Sequence, residues 1–148
     1  EMYIPYNNYA IKSGDLKYKD ILMAGHVTPK YTRYEKHRVW VVEGNLKSDV
    51  RHSYAKRVFY IDEDTWSIAA ADMYDNNGNL WRTSLAYIKT YYDMPSTWSG
   101  LDVFHDLISK RYHVQLLDNE ESGTVDYSKQ PPGERYFTPS ELRRRGRR

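Results

Sequence analysis

The chain has 148 residues and a mass of 17.6 kDa, the size of one domain that can bury a core without disulfides or metals. Apolar residues make up 40% and charged residues 28%, so the chain is globular rather than disordered, and no run approaches the ~18 apolar residues of a membrane-spanning helix. Cysteine is absent, which removes disulfides, a thiol nucleophile and thiolate metal sites. The net charge is +2, but five of the twelve arginines fall in residues 143–148, and residues 1–142 carry −3; a nucleic-acid domain carries its basic residues on the folded body, so no nucleic-acid partner is expected.

Residues 1–36 read as irregular. Tyrosines alternate with Pro5, Asn7 and Asn8, and Leu16, Lys19, Asp20 and Met23 recur at helical spacing, predicting a short helix over 15–23 that Gly25 would end. From His37 the period becomes two. His37–Glu43 is rich in β-branched and aromatic residues and reads as a first strand, Arg51–Ile61 as a second and Trp66–Tyr74 as a third. Residues 62–65 form the polar turn between the last two. A four-residue turn there sets Ile61 opposite Trp66, Phe59 opposite Ile68 and Arg57 opposite Ala70, with Asp72 diagonal to Arg57. Asn77-Gly78 is the strongest hairpin signal, because both residues tolerate positive φ. Leu80–Tyr92 follows as a fourth strand. Pro95-Ser96-Thr97 reads as a break. Leu101–Ile108 is a further strand or a helix, and Tyr112–Leu117 a further strand. Residues 118–136 read as a long loop. Thr138-Pro139-Ser140-Glu141 is a capping box that starts a helix running to about Arg145, with Gly146 at its end. Short polar turns between successive strands predict a mainly β chain built on an antiparallel meander. Both strand faces carry large apolar groups, so both should be covered or lined, and Ala69-Ala70-Ala71 leaves room for the cover.

Catalytic signatures are missing from the sequence. His26, His37, His52, His105 and His113 include no helical i, i+4 pair, although His105 and His113 could meet across a hairpin. Asp102 and Asp106 share a face only if their segment is helical. There is no nucleophile elbow and no Gly-rich phosphate loop. No catalytic residue, metal ligand or cofactor is therefore assigned. Arg57, Asp72 and Arg82 can form a cluster on one face, as a structural ion pair or as a site for an anionic head group; the register through residues 75–79 decides which face Arg82 takes.

Several blocks, in order, carry a resemblance: Arg33–Glu43, Tyr54–Trp66, Tyr74-Asp75 with Gly78 and Leu80-Trp81-Arg82, and Phe137-Thr138-Pro139 with the arginine-rich end. Together they resemble the C-terminal part of a proteobacterial family, domain of unknown function 1329, whose members carry the label of outer-membrane lipoprotein-sorting proteins. The resemblance implies one domain over residues 1–148 that forms the last third of a longer envelope protein, and the start at Glu1 reads as a processed or excised end. It implies a curved antiparallel sheet like that of the periplasmic lipoprotein carrier, which holds acyl chains against its concave face. It also implies a place in the periplasm or at the outer membrane of a Gram-negative bacterium. Members are encoded near lipid-exporting transporters, which makes such a transporter an expected partner.

The expected function is non-enzymatic binding of a lipid or lipoprotein acyl chain, lined by Trp40, Phe59, Ile61, Trp66, Ile68 and Trp81. The alternative is a structural or protein-interaction module of the envelope, whose 15 tyrosines form a binding surface. An isolated chain with an open apolar patch would self-associate unless residues 1–36 cover it.

Overall fold

The computed structural model describes residues 1–123 and 128–146. Its strands are β1 (Met2–Pro5), β2 (Leu22–Met23), β3 (His26–Val27), β4 (Tyr34–His37), β5 (Val39–Asn45), β6 (Lys56–Asp62), β7 (Ile68–Tyr74), β8 (Leu80–Tyr91), β9 (Ser96–Asp106) and β10 (Arg111–Gln115), with helices α1 (Tyr18–Ile21) and α2 (Pro139–Gly146). The last six strands form one antiparallel sheet in chain order, β5 to β10, and β1–β4 and β2–β3 form two-stranded ribbons. The meander is thus present, and it runs two strands beyond residue 92. Leu101–Asp106 is strand, not helix, with Leu107 and Ile108 in the turn that follows, and Pro95 ends a four-residue turn that β9 leaves directly.

Four local expectations change, each for a physical reason. The first expected strand is divided at Arg38: His37 ends β4, and the Arg38 carbonyl accepts from the Glu63 N–H at 3.1 Å, so the chain steps from one sheet to the next. Residues 51–55 precede β6 as a loop, held by Leu46 N–H on the Ala55 carbonyl (2.8 Å) and Ala55 N–H on that of Tyr74 (3.0 Å). The helix over 15–23 shrinks to the single turn α1. Gly25, at φ +80°, does not end a helix but turns the β2–β3 hairpin, a conformation that glycine adopts without a side-chain clash.

The fourth change has the widest effect. The connection after Asp62 is longer than four residues. The Trp66 N–H bonds the Asp62 carbonyl (2.9 Å) with Trp66 at φ +58°, and β7 begins only at Ile68. A bulge between Tyr60 and Ile61 adds a further offset. Phe59 therefore pairs with Ala71 rather than Ile68, and Arg57 with Met73 rather than Ala70. An odd shift turns each affected β7 side chain to the other face.

The core lies where residues 10–31 pack on one face of β8–β10. Ile11, Ile21 and Val27 meet Tyr87, Leu101 and Val103, with Leu16 and Tyr31 closing the edges. A second cluster joins Ile4 to Ala69 and Ile88, so residue 4 occupies the room beside the alanines. Polar anchors fix this cover. Asn119 donates to the carbonyls of Ile11 (3.0 Å) and Ser13 (2.9 Å), and the Tyr112 hydroxyl to that of Met23 (2.7 Å).

Helix α2 starts as the sequence predicts, with Thr138 Oγ1 accepting from the Glu141 N–H at 3.4 Å. Glu141 does not return the bond to residue 138. It pairs instead with Arg144 (Nε to Oε2, 2.9 Å) and Arg145 (Nε to Oε1, 2.9 Å), and the Arg144 bonds, followed by those of Arg145, hold its carboxyl down at about 2. Within the expected loop over 118–136, residues 124–127 lie outside the described residues, as do Arg147 and Arg148 of the arginine-rich end.

Gly78 sits at φ +82° in the β7–β8 turn, and a Cβ placed there would meet nothing within 4 Å. A Gly78→Val change therefore isolates the conformational cost, which should lower unfolding stability by about 1 kcal/mol or more, measured by urea denaturation. An unchanged midpoint would contradict the turn.

Candidate functional site

Residues directly opposite across antiparallel strands share a face. The observed register therefore sorts the sheet's side chains. One row runs Gly44, Arg57, Met73, Arg82, Asp106, Arg111 across β5 to β10. Two residues further along each strand lies the row Val42, Phe59, Ala71, Ser84, Phe104, His113. At the far end of the same face, Trp40 pairs with Ile61 and Ile61 with Ile68. Phe59 and Ile61 are half-buried, whereas Trp40 is 54% exposed, Ile68 48% and Val42 45%. This face carries arginines at one end and apolar side chains at the other.

Trp81 joins the arginine end through an irregularity. Met73 pairs with Arg82 and Tyr74 with Leu80, so Trp81 is an extra residue in the ladder. Its indole N–H donates to Asp106 Oδ2 at 3.0 Å, and its ring lies under the Arg82 guanidinium, 4.4 Å from the centroid. Trp66, in contrast, sits in the connection before β7, 71% exposed and outside the strands. Of the six apolar residues expected to line a site, the strand pairing places Trp40, Phe59, Ile61 and Ile68 on one face, and Trp81 reaches that face through Asp106.

The Arg57–Asp72–Arg82 cluster needs correcting. Asp72 pairs with Val58 and accepts from the Tyr60 hydroxyl at 3.0 Å, on the opposite face from Arg57. The odd register shift separates them. The carboxylate beside Arg82 is Asp106, with Nε to Oδ2 at 3.0 Å, while Arg82 Nη1 donates to the Tyr54 hydroxyl at 2.8 Å. Arg57 approaches the same tyrosine, its guanidinium carbon 5.0 Å from the ring centroid, and lies 3.3 Å from the His52 ring nitrogen. A cavity of about 540 Å³ opens here, lined by Tyr54, Met73, Arg82, Phe104, Asp106 and Arg111 among others. That volume is in the range of small-molecule sites. The Ser109 N–H, then Arg82 and Trp81, hold the Asp106 carboxyl down at about 2.

The histidine expectations also resolve. His105 pairs with Tyr112 and His113 with Phe104, so the two lie on opposite faces and do not meet. His37 was not singled out by any spacing, yet its Nδ1 lies 2.8 Å from the fully buried Asp62 and 3.5 Å from Asp64. These three groups lie within 4.8 Å of one another, a distance compatible with metal ligation. Asp62 is already satisfied, because its other oxygen accepts from the Thr65 N–H (3.1 Å) and hydroxyl (2.6 Å), and the cluster acts as a structural latch. Asp102 and Asp106 occupy one strand with separate partners, Asp102 bonding Ser99 and Gln115.

The family model for DUF1329, a protein of unknown function, matches residues 1–143. The chain belongs to this family. It is 45% identical over 146 residues to the uncharacterized protein PA3922 of Pseudomonas aeruginosa, covering 99% of this chain and 32% of that protein, so it spans about a third of the length of this relative. Two solved structures are similar. One, from Vibrio parahaemolyticus, bears the name of a candidate outer membrane lipoprotein-sorting protein domain (20% identity, 52% of this chain and 36% of that chain, TM-score 0.41). The other is a DUF1329 family protein from Desulfovibrio piger (16% identity, 51% of this chain and 31% of that chain, TM-score 0.45). Among the described residues of this DUF1329 chain, no helix is long and apolar enough to cross a membrane.

The depressed Asp106 carboxyl has a pH consequence. A folded pKa of about 2 lies below the unfolded value near ~3.9, so the stabilisation is complete above the unfolded value and fades as pH falls through the folded one. The Tm difference between the unaltered chain and Asp106→Asn should therefore be largest at neutral pH and shrink between about pH 4 and pH 2. A difference that does not vary with pH would contradict the pairing.

Proposed function

We propose that this chain is a non-enzymatic, acyl-chain-binding domain of the bacterial envelope, acting in lipid or lipoprotein traffic. The observation that supports it most is the asymmetry of the sheet. Residues 10–31 cover the Tyr87–Val103 face of β8–β10; on the opposite, Phe59–Phe104 face Ile4 covers the end at Ala69 and Ile88, and Trp40, Val42 and Ile68 remain exposed to solvent. A sheet face of this kind is an unfilled apolar surface, and each methylene buried on it contributes about 0.8 kcal/mol. The lining is Trp40, Phe59, Ile61, Ile68 and Trp81, with Phe104 added by the register. The periplasm or the outer membrane as its location, and a lipid-exporting transporter as its partner, are proposed from the resemblance alone.

The rival reading, a tyrosine-rich interaction surface, has less support. Tyr9, Tyr18 and Tyr112 donate to the carbonyls of Thr90, Leu117 and Met23, Tyr60 donates to Asp72, Tyr54 accepts from Arg82, and the Tyr34 and Tyr87 hydroxyls lie 3.4 Å apart. These hydroxyls hold the fold together rather than waiting for a partner.

The test is a titration with cis-parinaric acid, followed by energy transfer from tryptophan. Saturable transfer is expected, and Phe104→Glu, which places a charge on the open face, should weaken it at least about tenfold, or 1.4 kcal/mol. Absence of saturable transfer in the unaltered chain, with its circular dichroism intact, would overturn the reading.

A further inference from the structure

The arginine row lies at one end of the open face, two residues and thus about 7 Å from the Phe59–Phe104 row. Three of its six positions are arginine and one is a carboxylate. Asp106 is occupied: Arg82 and Trp81 take one oxygen, and the Ser109 N–H takes the other at 2.8 Å. Arg57 and Arg111 have no carboxylate partner among the described residues. The row therefore carries two uncompensated positive charges.

Their arrangement is specific. The Arg57 and Arg82 guanidiniums approach a single ring, that of Tyr54, at 5.0 and 5.9 Å from its centroid. Two cations brought to one ring repel each other, and an anion between them relieves that repulsion. Arg82 is held from several sides, by Asp106, by the Tyr54 hydroxyl and over the Trp81 ring. A held guanidinium loses little freedom when it binds an oxyanion, and guanidinium forks match phosphate and carboxylate geometry. Arg82 and Arg111 both line the cavity of about 540 Å³, together with the apolar Phe104 and Met73.

We propose that the row of Arg57, Arg82 and Arg111, spread over five strands, attracts the anionic head group, phosphate or carboxylate, of a lipid whose acyl chain crosses the Phe59–Phe104 row and runs along the strands. This inference rests on the acyl-chain reading and gives it a polarity: head at the arginines, tail toward Trp40 and Ile68. It also replaces Asp72 with Arg111 in the site. Free phosphate shares the head-group chemistry but not the tail, so the two sources can be separated.

The test compares octyl phosphate, octanol and inorganic phosphate on the 148-residue chain and on an Arg57→Gln/Arg111→Gln variant, by tryptophan fluorescence. Arg82 is left in place because it braces the strands through Asp106. Octyl phosphate should bind at least about tenfold more tightly than either octanol or inorganic phosphate, and the variant should lose that advantage. Octyl phosphate binding no tighter than octanol, or an advantage that persists in the variant, overturns the head-group site and leaves the acyl-chain reading standing. Inorganic phosphate binding as tightly as octyl phosphate assigns the arginines to a free anion and overturns the lipid polarity. If neither octanol nor octyl phosphate binds, both readings fall together.

Discussion

Asp62 is the constraint on which the rest of this structure turns. A carboxylate with no exposure must be paired and hydrogen-bonded, because a buried charge without partners costs several kcal/mol. His37 meets one oxygen, and the Thr65 N–H and hydroxyl meet the other. These bonds do two things at once. They fix the end of β4 against the β6–β7 connection, which lets the chain step at Arg38 from the β1–β4 ribbon into the main sheet. They also curl residues 62–66 into a loop longer than a simple four-residue turn, with Trp66 in the left-handed region. The odd offset that follows decides which β7 side chains accompany Arg57, Phe59 and Ile61.

The composition of the open face is a product of that offset. With the expected turn, Arg57 would share its side with Ala70 and Asp72, and the charges would cancel locally. With the observed one, Arg57 lies in line with Met73, Arg82 and Arg111, and the acid in the row, Asp106, is already taken by Arg82. The cover on the other side of β8–β10 completes the asymmetry. Residues 1–36, expected to be irregular, form the short strands β1 to β4 and the single helical turn α1, and they hold by packing Ile11 and Ile21 on the sheet and by side-chain bonds to their backbone carbonyls. The tyrosine excess fits this role. A tyrosine buries an aromatic body and satisfies a polar tip, which suits a segment of short strands and turns laid on a sheet. Burial pushes the Tyr87 hydroxyl pKa up, as expected for a group inside that interface.

What the sequence showed was local. Period-two strands, the Asn-Gly turn and the Thr138–Glu141 helix start all depend on neighbours within a few residues, and all three are present. The large apolar strand residues were legible by type, and Trp40, Phe59, Ile61 and Ile68 share a face. The misreadings involve partners far along the chain. His37 and Asp62 are 25 residues apart, and Asp106 is 24 beyond Arg82, so nothing in spacing links them. Leu16 to Met23 satisfied a helical period, but the positive φ at Gly25 drew Leu22 and Met23 into a hairpin. Trp66 read as the first residue of a strand because its type favours strands, while the Asp62 carbonyl held it in the loop.

The register between β6 and β7 is therefore the point on which the arginine row and the apolar strip both depend. The chain has no cysteine, so paired substitutions report on it without background. Arg57→Cys combined with Met73→Cys places two thiols directly opposite each other, within the Cα separation that a disulfide spans, whereas Arg57→Cys combined with Ala70→Cys tests the shorter turn. Mild oxidation followed by mass spectrometry should show a disulfide in the 57/73 protein and free thiols in the 57/70 protein. A disulfide in the 57/70 protein and none in the 57/73 protein would return Arg57 to the side of Asp72 and dissolve the arginine row.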